Sequence, residues 1–483
     1  MLFNSFDFFV FFGIVTSLYF LLSPRHRPLM LLIASCYFYM AFVPIYILIL
    51  FTMIVIDYFA GIWIERSEGK KRKFYLIISI ISTCLVLFVF KYANFFVLNF
   101  NVVSSWIHPS YQIENLHIFL PIGLSFHTFQ SLSYVIEVYR RKQKAEYNFK
   151  IYALYVMFYP QLVAGPIERP QNLFHQFYEN HSFDYHRIIQ GFRLMLWGFF
   201  QKIVIADTLA LYVNQVYGDV AQYGTIAILI ATYFFAIQIY CDFAGYSSIA
   251  IGTALVMGFR LMDNFRSPYF SKSISEFWKR WHISLSTWFK DYLYIPLGGN
   301  RTASRWRWYY NLLIVFVISG FWHGANWTYV VWGGLHGFYL IMGIVTQKFR
   351  KKWAKRLGFT KFLWIDKILN TLFTFHLVLL AWIFFRAQDV STAFYILDKI
   401  VIHPDFSDTN WVIQSLSKNQ MIMVLLAIAS MIAVEFIGRT SSLRDAFHVK
   451  KPAVRWSFYA LLILAILFLG QHTADIDFLY FQF

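Results

Sequence analysis

The stretch Ser319–Gly337, SGFWHGANWTYVVWGGLHG, sets two titratable imidazoles, His323 and His336, among glycines, tryptophans and aliphatic residues. A neutral imidazole near pH 7 can take a proton from a hydroxyl, which is general-base chemistry, or pass one along a relay. Gly320 and Gly324 flank His323 and permit close approach of backbone or ligand. Asn326, three residues on, has the groups to fix its tautomer. His336 is bordered by Gly333, Gly334 and Gly337, small residues suited to tight helix packing, and reads as structural. His282, in SEFWKRWHISLSTWFKDYLY, projects on the side of Trp278 and Phe289 rather than among the lysines. It reads either as a polar residue at a headgroup boundary or as a second chemical group. His127, in PIGLSFHTF, reads as a satisfied core histidine.

No ordinary soluble core surrounds these groups. The chain of 483 residues is 59% hydrophobic and only 14% charged, where soluble proteins carry about 25% charged residues. Apolar runs of about 20 residues, long enough to cross a bilayer, recur along it. The net charge of +17 points to lipid rather than nucleic acid, because of where it sits. Basic residues gather in short loops at Lys70–Lys73, Arg140–Lys144, Lys348–Lys361 and Arg439–Arg455. That is the positive-inside pattern of a multi-pass membrane protein, with anionic membrane lipids as partners. Cys36, Cys84 and Cys241 lie within or beside apolar segments and have neither disulfide-framework nor zinc spacing, so no metal is expected.

The apolar pattern predicts an all-α integral membrane protein with about 11–13 transmembrane or re-entrant helices. The Phe8–Leu22 stretch has no clear signal-peptide cleavage site and reads as a retained first span. Spans near Phe6–Leu22, Leu29–Phe42, Ile45–Trp63, Phe74–Phe90 and Leu116–Val138 place the early basic loops on one side. They leave Asn99–His117, free of Lys and Arg, on the other. Ile151–Ala164, broken by Gly165 and Pro166, is too short to cross and reads as re-entrant. Ile188–Val213 and Thr225–Phe243 follow, then a separate short element at Ser248–Phe259. In Ile274–Tyr294, Trp278, Trp281, Leu285, Trp288 and Tyr292 recur at helical spacing opposite Lys279, Arg280, Lys290 and Asp291. This predicts one interfacial amphipathic helix.

The arm Tyr309–Trp322 then rises only about 21 Å and should leave His323 within the membrane's thickness. A misplaced charge there costs at least ~2.5 kcal/mol, so an ionisable group at that depth tends to be functional. Trp327–Thr346, Ile368–Phe385, Met421–Ile437 and Trp456–Leu469 complete the spans. Residues 387–419 and the tail Gly470–Phe483 fall outside. With no internal repeat and no flexible linker, residues 1–483 read as one domain. The residues alone leave a transferase and a transporter both open.

Longer blocks narrow the choice. YPQLVAGPIER (Tyr159–Arg169), DFAGYS (Asp242–Ser247), MGFR (Met257–Arg260), Asn264-Phe265, FWKRWHISLSTW (Phe277–Trp288), YIPLGGNR (Tyr294–Arg301), FWHGA (Phe321–Ala325) and FLYFQF (Phe478–Phe483) resemble one family over nearly the whole chain. It is the membrane-bound O-acyltransferases, in the bacterial branch that acetylates alginate and peptidoglycan. The RWHISLSTW and FWHGA blocks together are highly specific.

The resemblance implies a ring of helices around a thinned centre, with a funnel from each side meeting at the family's catalytic histidine, here His323. His282 would be the second, supporting polar residue. Trp278, Trp281, Phe321, Trp322, Trp327 and Asn326 would wall the acyl-donor tunnel. The donor would be a thioester, acetyl-CoA, docking on the basic cytosolic side, with no tightly bound cofactor. His282, a nearby asparagine or a backbone N–H would stabilise the oxyanion. The acceptor would be an extracytoplasmic polysaccharide hydroxyl, reached with a soluble esterase-like partner protein, and the location the bacterial inner membrane. The phenol of Tyr480 in FLYFQF is a candidate acyl relay, the alternative being an aromatic anchor at the interface. A related branch that transfers D-alanine to teichoic acid from a carrier protein is the second reading, and a transporter with His323 as proton relay the third.

Overall fold

The computed structural model describes residues 1–483 except 109, 110, 117, 119, 164, 357–361, 407–415, 438–451, 472–477 and 480–483. Among the described residues every regular element is a helix, as an all-α membrane protein requires. Among the described residues, eight helices are long and apolar enough to cross a bilayer. Phe6–Leu21 and Arg27–Met40 are shorter apolar helices. Tyr480 and most of the basic stretch 439–455 lie outside the described residues.

Contacts divide the chain into two compact units, the first made of Met1–Met195 and Ser247–Met262, the second of Leu196–Tyr246 and Asp263–Phe483.

In the first unit the fourth span is longer than expected. The helix that starts at Gly69 runs through a π-helical turn at Phe88–Tyr92 and on to Ser105. Asn94 and Asn101, beyond the expected end of the span at Phe90, tie this extension to the chain that follows. Asn94 bonds both the N–H and the C=O of Leu116, and Asn101 does the same to Ile113, at 2.8–2.9 Å. The fifth helix starts late, at Leu124, after Gly123 takes φ +77°. Where Ile151–Ala164 was expected as one short element, the helix is Phe149–Met157, nine residues and too short to cross a bilayer.

The AGPIER block then has a plain role in this unit. Glu168, 1% exposed, accepts the Met262 N–H at 2.5 Å and Asn172 Nδ2 at 3.3 Å. Burial pushes its carboxyl up to about 7. Gln176 bonds the N–H and C=O of Arg260, so these polar side chains fix the MGFR block that leads out of the long helix.

That helix, Thr225–Met257, is continuous over 33 residues, where two elements were expected. Its glycines are packing positions rather than breaks. A Cβ on Gly245 would lie 2.7 Å from the Gly198 carbonyl oxygen, and one on Gly252 2.5 Å from that of Gly191.

Two features of the second unit position the histidines. The first is a hairpin of helices Arg305–His323 and Trp327–Val345. Ser304 caps the first arm by accepting the Arg307 N–H. The arm therefore includes Arg305–Trp308, which an apolar count leaves out, and is five residues longer than expected. Its length no longer fixes the depth of His323. Glycine lets the arms touch, since a Cβ on Gly320 would lie 2.2 Å from the Tyr329 oxygen and one on Gly333 2.2 Å from the Phe316 oxygen. Gly333→Ala should cost about 1–3 kcal/mol through overpacking. Thermal unfolding in detergent measures it; a midpoint equal to wild type would show that the arms separate freely.

The second feature corrects the interfacial helix. Ile274–Tyr294 is a helix Ile274–Arg280, a break, a helix Ile283–Phe289 and a π-helical turn Lys290–Tyr294. The break is at His282, which adopts φ +43°, ψ 55°. The Asn264 carbonyl oxygen accepts the Ile283 N–H at 2.9 Å, and that of Arg280 accepts the Arg266 N–H at 2.9 Å. A left-handed residue other than glycine is strained and persists only where its surroundings hold it. The tryptophans on this stretch are packed inside: Trp278, Trp281 and Trp288 are 9%, 2% and 7% exposed.

Candidate active site

His323 is the last residue of the first hairpin arm and is 5% exposed. Its ring lies against Trp322 at 4.7 Å, against Phe385 at 5.4 Å, and edge-to-face with Trp332 at 5.0 Å and 89°. Trp332 comes from the second arm. Phe385 comes from the helix Leu363–Arg386, which also brings Trp382 to stack on Trp332 at 5.8 Å. An imidazole held among rings is kept from bulk water and has few rotamers open to it.

Asn326 does not orient this ring as the sequence suggested. Its Oδ1 caps the second arm by accepting the Thr328 N–H at 3.0 Å, and its Nδ2 donates to the Gln388 carbonyl at 2.9 Å. Of the other expected tunnel residues, Phe321 is half-buried and Trp327 is 54% exposed. Trp278 and Trp281 do join the cluster. Trp281 packs 5.1 Å from Trp382 and 5.1 Å from Phe265. Trp278 Nε1–H donates to His336 Nδ1 at 3.3 Å. His336 is thus a hydrogen-bonded, fully buried part of the same cluster.

His282 is also fully buried. Asn264 Oδ1 receives the Ser284 N–H at 3.3 Å and the Ser284 hydroxyl at 2.9 Å, and lies 3.1 Å from His282 Nδ1. A backbone N–H only donates, so the Asn264 atom is the amide oxygen, and His282 Nδ1 must carry the proton. The ring therefore turns an acceptor, Nε2, toward whatever else approaches. Burial pushes its pKa down to about 3, so it is neutral at ordinary pH. Rings connect it to His323: His282 on Phe265, then Trp281, Trp382, Trp332 and His323.

A buried charge cluster adjoins His282. Lys202, in a π-helical turn at Phe200–Ala206, sits 2.7 Å from Asp207 and 2.6 Å from Asp242. Asp242 Oδ2 also accepts the Leu479 N–H at 2.8 Å. The Phe478 ring stacks on Tyr246 at 4.6 Å and touches Phe243, which packs edge-on against His282 at 4.6 Å. The DFAGYS block thereby grips Phe478 and Leu479 of FLYFQF. Sequence reasoning quoted both blocks without joining them, and it passed over Lys202, Trp332, Trp382 and Phe385. The one available signal was the charged pair Lys202 and Asp207 inside a largely apolar span.

A profile of the MBOAT, membrane-bound O-acyltransferase family, matches residues 74–387. The chain belongs to the membrane-bound O-acyltransferase family. This O-acyltransferase is similar to the probable alginate O-acetylase AlgI of Pseudomonas aeruginosa, 36% identical over 94% of this chain and 84% of the relative. It is similar to the peptidoglycan O-acetyltransferase of Helicobacter pylori, at 33% over 78% and 74%. The teichoic acid D-alanyltransferase of Bacillus subtilis is more distant, at 25% over 58% of this chain and 71% of its own length. As a multi-pass O-acyltransferase, the protein transfers acyl groups, and the transporter reading of His323 is set aside.

Proposed function

We propose that this acyltransferase O-acetylates an extracytoplasmic polysaccharide of the alginate or peptidoglycan kind, from acetyl-CoA on the basic face of the bacterial inner membrane. The observation that carries the reading is the buried imidazole of His323 in its cage of rings. His323 takes the proton of an acceptor hydroxyl as the oxygen attacks the thioester carbonyl. The surrounding rings keep water from competing as nucleophile. His282, with Nδ1–H committed to Asn264, presents only an acceptor, Nε2, and so does not bind the oxyanion; it acts as a positioning residue through Phe265 and the rings beyond it. Names of the more similar relatives favour acetyl over D-alanyl transfer.

Delivery to the polysaccharide uses an esterase-like partner, with Tyr480 as the transient carrier. The hold of Asp242 on Leu479, the residue before Tyr480, supports this order of events. The test is inside-out vesicles supplied with acetyl-CoA labelled in the acetyl group. Label is expected in polysaccharide ester and, on trapping, in the C-terminal peptide at Tyr480. Ester formation without label from acetyl-CoA would reject the donor; labelled ester with an unmodified tail throughout turnover would reject the relay.

A further inference from the structure

The hydrogen bond between Trp278 and His336 has a consequence for the second hairpin arm. An indole N–H only donates, so His336 Nδ1 is the acceptor and neutral His336 carries its proton on Nε2. That Nε2 is fully buried and has no hydrogen-bond partner among the described residues, and the same holds for Nε1 of Trp332, which is 1% exposed. Two N–H donors, on rings whose centres are 5.0 Å apart, are thus left unanswered among the described residues. Trp332 and His336 are four residues apart on one helix face, their rings 5.0 Å apart, and Trp332 lies 5.0 Å from His323. Leaving a buried donor unmade costs about 1–3 kcal/mol. Trp278 and Trp382 of the same cluster avoid that cost, since Trp278 Nε1–H meets His336 and Trp382 Nε1–H meets the Tyr269 hydroxyl at 3.2 Å.

We infer that Trp332 Nε1–H and His336 Nε2–H form the anion hole of the reaction, receiving the thioester carbonyl oxygen. The inference rests on the acetyl-transfer reading and adds catalytic residues to it. As the acceptor hydroxyl loses its proton to His323, its oxygen forms a bond to the carbonyl carbon. The carbonyl π pair moves onto oxygen, and the two N–H groups receive the resulting charge. When the C–O double bond re-forms, the C–S bond breaks. The departing thiolate takes the proton from His323, leaving ester, CoA thiol and neutral imidazole. His282 cannot donate here, because its one N–H is held by Asn264.

The test uses purified full-length protein with acetyl-CoA and whichever of an alginate oligosaccharide or a peptidoglycan fragment the wild type esterifies. Trp332→Phe keeps a ring and removes the N–H. We expect kcat to fall about 10²–10³-fold, the usual effect of removing one such donor, with KM for acetyl-CoA within about three-fold. If Trp332→Phe unfolds the protein, 3-benzothienylalanine at position 332 replaces N–H by sulfur within the same bicycle and gives the same readout. Rates within three-fold of wild type for the folded variant would overturn the anion hole while leaving acetyl transfer intact. Wild-type protein that releases no CoA with either acceptor would overturn the acetyl-transfer reading, and the anion hole with it.

Discussion

Replacing His323 with alanine should leave the protein in the membrane at wild-type abundance and reduce polysaccharide O-acetyl ester to background. General-base assistance alone contributes about 10²–10⁴ to rate, and without it a hydroxyl is a poor nucleophile toward a thioester. The helix is not at stake, since His323 is its last residue and Gly324 leads out of it in extended backbone. The variant does leave a hole among Trp322, Trp332 and Phe385, so His323→Gln is the companion that fills it. Immunoblots of membranes and ester released by mild alkali are the two measurements. Both variants should be present and inactive. Normal ester content in either would remove His323 from the chemistry.

The second large effect concerns Lys202. Lys202→Met should abolish accumulation of folded protein, because it leaves Asp207 and Asp242 facing each other with no cation. Breaking a buried ion pair by deleting one partner costs about 3–5 kcal/mol, a large share of a typical stability of about 5–15 kcal/mol. The effect should be reversed by neutralising the whole cluster. Lys202→Met with Asp207→Asn and Asp242→Asn should accumulate again, since all three charges are gone. Fluorescence-detected size exclusion of detergent extracts reads both outcomes. A monodisperse Lys202→Met single variant at wild-type level would show that the cluster does not hold the unit together.

Composition and hydropathy made the helical membrane architecture legible, because lipid leaves a chain few ways to satisfy its backbone. Boundaries were harder wherever side chains did backbone work. The span was expected to end at Phe90 and Asn101 fell in the outside loop, yet Asn94 and Asn101 sit on a longer helix and clamp neighbouring chain. Two elements were expected across 243–248, yet the helix is continuous there and Gly245 marks where it meets another helix. His323 was visible as a polar residue in apolar company. His282 was visible too, but its left-handed backbone was not. Periodicity across Trp278, Trp281, Leu285, Trp288 and Tyr292 fits an unbroken helix equally well, and only the bonds of Asn264 dictate the interruption. Trp332 was passed over and His336 read as structural for a different reason: an unanswered N–H is a fact about neighbours far away in sequence.

The hairpin also works as a ruler. Arg305 and Arg307 open one arm and Lys348 and Arg350 follow the other, while His323 stands at the opposite, closed end. Nineteen residues separate the ends, which at 1.5 Å per residue is about 28 Å. A compact activated acyl group clasped by those cations could never present its carbonyl to the imidazole. For the proposed thioester donor, a head held by those cations would need a long thread to reach His323, so span would select the donor as strictly as charge.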